Sequence, residues 1–320
     1  MTTARSQLIC PEATPYYHCV SRCVRRSFLC GYDEQTQTSY EHRRAWVERR
    51  LMQIADAFCV DVCAYAIMSN HYHLVLHINQ EKAQKLSDEA VIQRWITFHR
   101  TPVLIHRFLK QELASESEKV SCQKLIQTWR TRLCSISWFM RLLNQYIATE
   151  ANLEDGCTGH FWEGRFKSQA LLDEQALAAA LAYVDLNPVR AGIADTPESS
   201  AYTSVKARLQ PDQKHHTFKR VLYPFTGHPR NDRPAGLPFR LMDYLELLDW
   251  TSRQIRENKP GHIPPAFPTI LTRLGFESQF WLETCQNIEK GTLVGSKTAI
   301  RTALPYLNRR RRTGLTLSPS

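Results

Sequence analysis

Between Cys59 and Ile78 the chain reads CVDVCAYAIMSNHYHLVLHI, two runs rich in β-branched and aromatic residues parted by Met68-Ser69-Asn70. This pattern predicts a β-hairpin and commits the chain to an antiparallel sheet. Side chains alternate across a strand, so His71, His73, Val75 and His77 share one face, and Tyr72, Leu74, Leu76 and Ile78 share the other. The second set is the core face. An earlier segment, Tyr16 to Cys23, alternates in the same way and predicts the first strand. Between the two, Trp46, Leu51, Ile54 and Phe58 stand among Arg and Glu residues at spacings that predict a helix over 40–58.

Beyond the hairpin, residues from about 80 to 124 are charged and irregular, with weak helical periodicity and an acidic-polar patch at Ala114-Ser115-Glu116-Ser117-Glu118, and read as an insertion. From Leu125 to Asn152, Ile126, Trp129, Leu133, Phe139, Leu143 and Ile147 recur at helical spacings. One long amphipathic helix or two in tandem would satisfy them, with Gly156 as the stop. Asp173 is placed to cap a further helix that runs to Val184 and ends at Asn187-Pro188. Prolines crowd the chain beyond Pro211, which sets an expected boundary near residue 210. Within 211–320 only Phe239–Glu257 and pieces of Phe276–Leu307 have a helical pattern.

With 320 residues and 43% hydrophobic content the chain can bury a substantial core. Its formal charge of +10 favours a polyanionic partner, although solubility alone would also account for it. The ten cysteines are scattered, include no C-x2-C pair, and follow a start, MTTARSQLIC, that lacks an apolar signal core. They are expected as reduced thiols in a cytoplasmic protein. No apolar run approaches the ~20 residues that span a bilayer, so no membrane partner is expected.

Two imidazoles two residues apart on one strand face can share a divalent cation if another element brings a third ligand. His71 and His73 are such a pair, or else polar residues on a half-exposed strand. His77 lies ~13 Å from His73 by strand rise, too far to share the ion.

Four ordered stretches resemble the single-tyrosine HUH transposases, in particular the REP-associated tyrosine transposase branch. They are YYHCVSRCVRRSFLCG, YAIMSNHYH, GHFWEGRFKSQALLDE and YVDLNPVRAGI, and they extend over roughly residues 12 to 210. The resemblance implies an α+β, ferredoxin-like domain with an antiparallel sheet and flanking helices, followed by a Pro-rich, mostly helical C-terminal region. It implies Mg2+ or Mn2+ on His71 and His73, and single-stranded or hairpin DNA as substrate. A helix-borne tyrosine would attack the scissile phosphate to leave a 5′-phosphotyrosine and a free 3′-hydroxyl. A homodimer and a nucleoid-associated location are implied in the same way. The tyrosine on the helix before GHFWEGRF is Tyr146, with Glu150 one turn on as a possible third ligand. The family's pattern sets its tyrosine at the position of Ile147, and one residue rotates a side chain by ~100°. Either a local shift brings Tyr146 to the metal, or the chain is a derivative that binds DNA without cutting it. A metal-dependent nuclease using water is the third alternative. The DNA-contact candidates are Arg22, Arg25, Arg26, Arg165, Lys167, Arg190 and the tail Arg309, Arg310, Arg311 and Arg312.

Overall fold

The computed structural model describes residues 8–24, 28–209, 221–227, 235–255, 269–274, 276, 278–307 and 315–316. In chain order the first elements are β1 (Tyr16–Arg22), β2 (Tyr32–Asp33), β3 (Thr38–Ser39), α1 (His42–Ala57), β4 (Val60–Ile67) and β5 (His71–Ile78). Helices α2 (Gln80–Lys85), α3 (Asp88–Ile96), α4 (Val103–Leu109), α5 (Glu116–Leu133) and α6 (Ile136–Glu154) follow. Then come β6 (Lys167–Leu171), α7 (Glu174–Asp185), α8 (Asn187–Arg190) and α9 (Ser204–Leu209). The last group is α10 (Leu241–Ile255), α11 (Thr269–Arg273), α12 (Ser278–Asn287), β7 (Leu293–Gly295), α13 (Lys297–Ala303) and β8 (Leu315–Thr316). The α/β mixture centres on a six-stranded sheet of order β4-β5-β1-β6-β7-β8. Its first four strands pair antiparallel, and β7 and β8 join in parallel.

The hairpin forms where the alternation predicts it, with Ser69 and Asn70 at the turn. One face of the sheet carries Tyr17, Cys19, Tyr72, Leu74 and Leu76 into a core shared with Phe139, Met140, Leu143 and Ile147 of α6. Helices α1 and α6 pack together over that face. Fully buried Arg43 of α1 clamps the pair by donating to Glu154 at 2.6 Å and to Asp155, at the end of α6. Gly156 then takes φ 60°, the left-handed conformation that ends a helix at little cost for glycine.

The other face is covered by α7. Its sequence, EQALAAALAYVD, is apolar nearly all round, and a helix of that kind must be buried on both sides. It packs on β4, β5 and β6, while α10 and α12 cover its outer side. The segment past residue 210 therefore joins both the second core and the sheet. The sheet crosses the boundary expected there.

Two further differences have local causes. The stretch over 80–124, where the sequence shows only weak helical periodicity, is largely helical, and the acidic-polar patch is a helix start. Ser115 accepts from the Glu118 amide and the Glu118 carboxylate accepts from the Ser115 amide, a capping box that begins α5. The tandem alternative holds for 125–152, because Cys134-Ser135 separates α5 from α6. Phe139 is fully buried edge-on against Phe58, 5.8 Å between centroids. Phe139→Ala is expected to lower stability by about 3–5 kcal/mol, measured as a lower urea midpoint at unchanged m-value.

Candidate active site

Strand register builds the site. Val20 lies opposite His73, Arg22 opposite His71 and His18 opposite Val75, while β6 sets Gln169 beside His18 and Lys167 beside Val20. His18, Arg22, His71, His73, Lys167 and Gln169 thus share the face opposite the α1/α6 core.

Hydrogen bonding fixes the tautomers. Gln169 Nε2 lies 2.6 Å from the Ile288 carbonyl oxygen and 2.7 Å from that of Gly291, so both its hydrogens are donated there. Its Oε1 therefore accepts from His18 Nδ1 at 2.7 Å. His18 Nε2, left as the acceptor, takes the hydrogen of His73 Nδ1 at 3.0 Å. The remaining His73 nitrogen, Nε2, carries a lone pair and accepts from Asn187 Nδ2 at 3.2 Å. Both imidazoles are neutral. Burial lowers the pKa of His18, and burial together with His18 and His71 drives that of His73 well below its ordinary value. His71 stands at the rim with Nδ1 against Asn70 Oδ1 at 2.5 Å, its ring 4.8 Å from that of His73. Burial, then the Arg22 charge, push its pKa down to about 4.

A second layer closes over His73 from α7, α8 and the C-terminal segment. The Tyr183 ring meets His73 edge-on at 5.4 Å and His18 at 5.8 Å. The LNPVRAG stretch explains the turn that brings Asn187 to His73: Pro188 begins α8, Gly192 ends it at φ 70°, and Arg190 folds back 4.8 Å over the Tyr183 ring. Arg190 also donates to the Cys285 carbonyl at 3.1 Å. Glu289, half-exposed, sets Oε1 3.7 Å from His73 Nε2, and burial together with the Glu289 charge raises the pKa of Tyr183.

Beside this cluster opens a cleft of about 520 Å³ lined by His18, Arg22, Arg165, Lys167, Gln169 and Glu289, among others. Three of the DNA-contact candidates of the sequence thus line the cleft together with His18 and Gln169. Arg190 lies at the second layer. Arg25, Arg26 and Arg309 to Arg312 fall outside the described residues.

The structure does not bring Tyr146 and Glu150 to the histidines. Their helix, α6, lies on the other face of the sheet, where its Asn144 accepts from Tyr72 at 2.5 Å and donates to Ser21 at 3.0 Å. Tyr146 instead packs against the α1/α6 core with the Arg50 guanidinium 4.7 Å from its ring. The cause is the hairpin's alternation, which sends Tyr72 toward α6 and His73 away from it. His77 stands apart at the far end of β5, bonded to Asp61 at 2.9 Å and stacked on Tyr223. Trp162 is half-buried, donating to the Asn144 carbonyl at 2.9 Å. The sequence reading missed His18, Gln169, Tyr183 and Glu289 as site residues. Of these only His18 carried a signal, because it sits at an alternate position of the first strand with the polar face.

Among the described residues no group of three His, Cys, Asp or Glu side chains stands ready to hold a metal ion. The donor chemistry of the pair nevertheless fits one. Both rings are tied back through Nδ1, as metal-binding histidines are, so Nε2 would be the ligand atom; on His73 an ion would have to displace the Asn187 amide that Nε2 accepts from.

The sequence matches no family model and no curated protein. Among solved structures, one of a REP-associated tyrosine transposase bound to a REP hairpin is similar at 13% identity and a TM-score of 0.37. The match covers 74% of this chain and 97% of that one. No described helix is long and apolar enough to cross a membrane.

The three depressed imidazoles predict a pH dependence. An unfolded histidine takes up its proton near pH ~6.5, whereas the folded groups resist it, so stability falls as pH drops from about 6.5 toward about 4. Each group contributes a slope of at most about 1.4 kcal/mol per pH unit. His71→Gln should flatten that acid limb in metal-free urea titrations; an unchanged limb would count against the neutral state of His71.

Proposed function

We propose that this chain is a DNA-processing protein of the single-tyrosine HUH transposase type on a ferredoxin-like core. The observation that supports it is the locked pair of neutral imidazoles, His71 and His73, adjoining a cleft whose wall carries Arg22, Arg165 and Lys167. Single-stranded or hairpin DNA is the partner suited to such a cleft, because clustered cations neutralise backbone phosphates and release counterions. His71 and His73 would hold Mg2+ or Mn2+, and imidazole donors favour the manganese ion. When bound, the ion supplies Lewis acidity toward a phosphoryl oxygen.

The protein's own groups carry the rest. Arg22, Arg165 and Lys167 hold the strand by its phosphates and orient it. Gln169 and His18 keep Nε2 of His73 unprotonated, facing Asn187. A DNA-binding regulator that does not cut is the second reading, favoured by the position of Tyr146 on the far face and by the full burial of His73.

Labelled hairpin DNA incubated with the protein and Mn2+ separates the two. A covalent protein–DNA adduct is expected. Tight binding without any adduct would leave the regulator, and cleaved DNA carrying no protein would indicate a water nucleophile. Replacing Arg22 or Lys167 by Ala should weaken binding across sequences and lower the slope of log affinity against log salt by about 1 each.

A further inference from the structure

Two cysteines meet where the sheet joins the helices of its first core. Cys59 stands between the end of α1 and the start of β4, and Cys134 stands in the break between α5 and α6. The Cys59 amide donates to the Leu133 carbonyl at 2.9 Å, so the residue before Cys134 is bonded directly to Cys59. Covalent geometry on either side of that bond keeps the two Cα atoms within about 7 Å of each other. Asn79, just past the end of β5, is a second tie. Its amide donates to the Cys59 carbonyl at 3.0 Å, and its own carbonyl accepts from Cys134 Sγ at 3.6 Å. Disulfides join Cα atoms about 4.4–6.8 Å apart, so the backbone already holds this pair at bridging range.

The chemical state of the two sulfurs differs from that of the other buried thiols. Burial raises the pKa of Cys23, Cys30, Cys63 and Cys285. At Cys59 the neighbouring Cys134 thiol outweighs burial and lowers it, and the Lys82 and Arg94 charges lower it further. The same neighbour, with burial, raises the pKa of Cys134. Cys59 is fully buried in the α1/α6 core, whereas Cys134 is half-buried at its edge and opens the pair to a small reagent.

We propose that Cys59 and Cys134 are a redox pair, thiols in the reduced protein that hydrogen peroxide joins as a disulfide. The proposal does not depend on the strand-cleavage reading. The Cys59 thiolate attacks one peroxide oxygen and the O–O bond breaks. The hydroxide that leaves takes the proton Cys59 had released, giving water and a sulfenic acid on Cys59. The Cys134 sulfur then attacks the Cys59 sulfur, the S–O bond breaks, and hydroxide departs with the Cys134 thiol proton as a second water. Two electrons have passed from the sulfurs to the peroxide, and a dithiol reductant returns them. The bridge closes the chain over β4, β5 and helices α2 to α5, which removes loop entropy from the unfolded state. It lies at the Val60–Ile78 end of the hairpin, away from the turn beside His71.

The test is to expose the folded full-length protein to hydrogen peroxide, block the remaining thiols with N-ethylmaleimide and digest it with trypsin without reduction. A linked pair of peptides, Leu51–Lys82 with Leu133–Arg141, is expected by mass spectrometry, and dithiothreitol should separate it. Cys63 shares the first peptide but belongs to the core on the other face of the sheet. The link should therefore persist in Cys63→Ala and vanish in Cys59→Ala. The oxidised wild-type protein should unfold at a higher urea concentration than the reduced one, a difference that dithiothreitol erases and that Cys134→Ser lacks. Wild-type peptides that stay unlinked, or a link that survives Cys59→Ala, would overturn the proposal.

Discussion

A line of polar side chains threads the layer between the sheet and α7, and each member fixes the next. Gln169 can orient its amide in one sense because two carbonyls face its nitrogen, and that orientation dictates the hydrogen on His18 and then the one on His73. Buried polar groups without partners cost about 1–3 kcal/mol each, so such a line is stable only when complete. Completeness requires β1, β5, β6, α8 and the turn after α12 to be in register together. Folding of the sheet and preparation of the site are therefore one event.

The line also explains why neutral imidazoles persist in a strongly basic protein. A charged His73 would be a fully buried cation with Arg22 and Arg190 close by. Deprotonation at Nε2 is thus set by the surroundings and does not wait for a ligand. A ring held in this way can act as a donor to a cation, and it is poorly suited to be a general acid.

The elements that form from local signals were legible in the sequence. Alternation in HYHLVLHI gave the strand and its two faces, and Asp173 accepts from the Ala176 amide at 2.9 Å as a cap should. The helical character of 80–124 showed only weakly because α2, α3 and α4 are short, and the Ser115–Glu118 cap was read as an acidic-polar patch. Within the site, His71 and His73 were legible from spacing alone. Their partners were not: Gln169 meets His18 across 151 positions, and Glu289 comes from a segment whose sequence carries no pattern pointing back to the sheet. The place of Tyr146 was left open for the same reason. Its helix was identified, but the face it covers is decided by tertiary packing.

Five of the twelve residues of α7 are alanines, and all of them are buried. Small side chains let a helix axis come close to the strands beneath it, so this run works as a spacer whose thickness sets how far Tyr183 and Asn187 stand from the imidazoles. The thickness is shared by α10 and α12 on the outer side, which rest on the same helix. An added methyl group anywhere along the run would be transmitted as a displacement of the whole second layer. The geometry of the histidine cluster is accordingly under the control of residues that have no functional group at all.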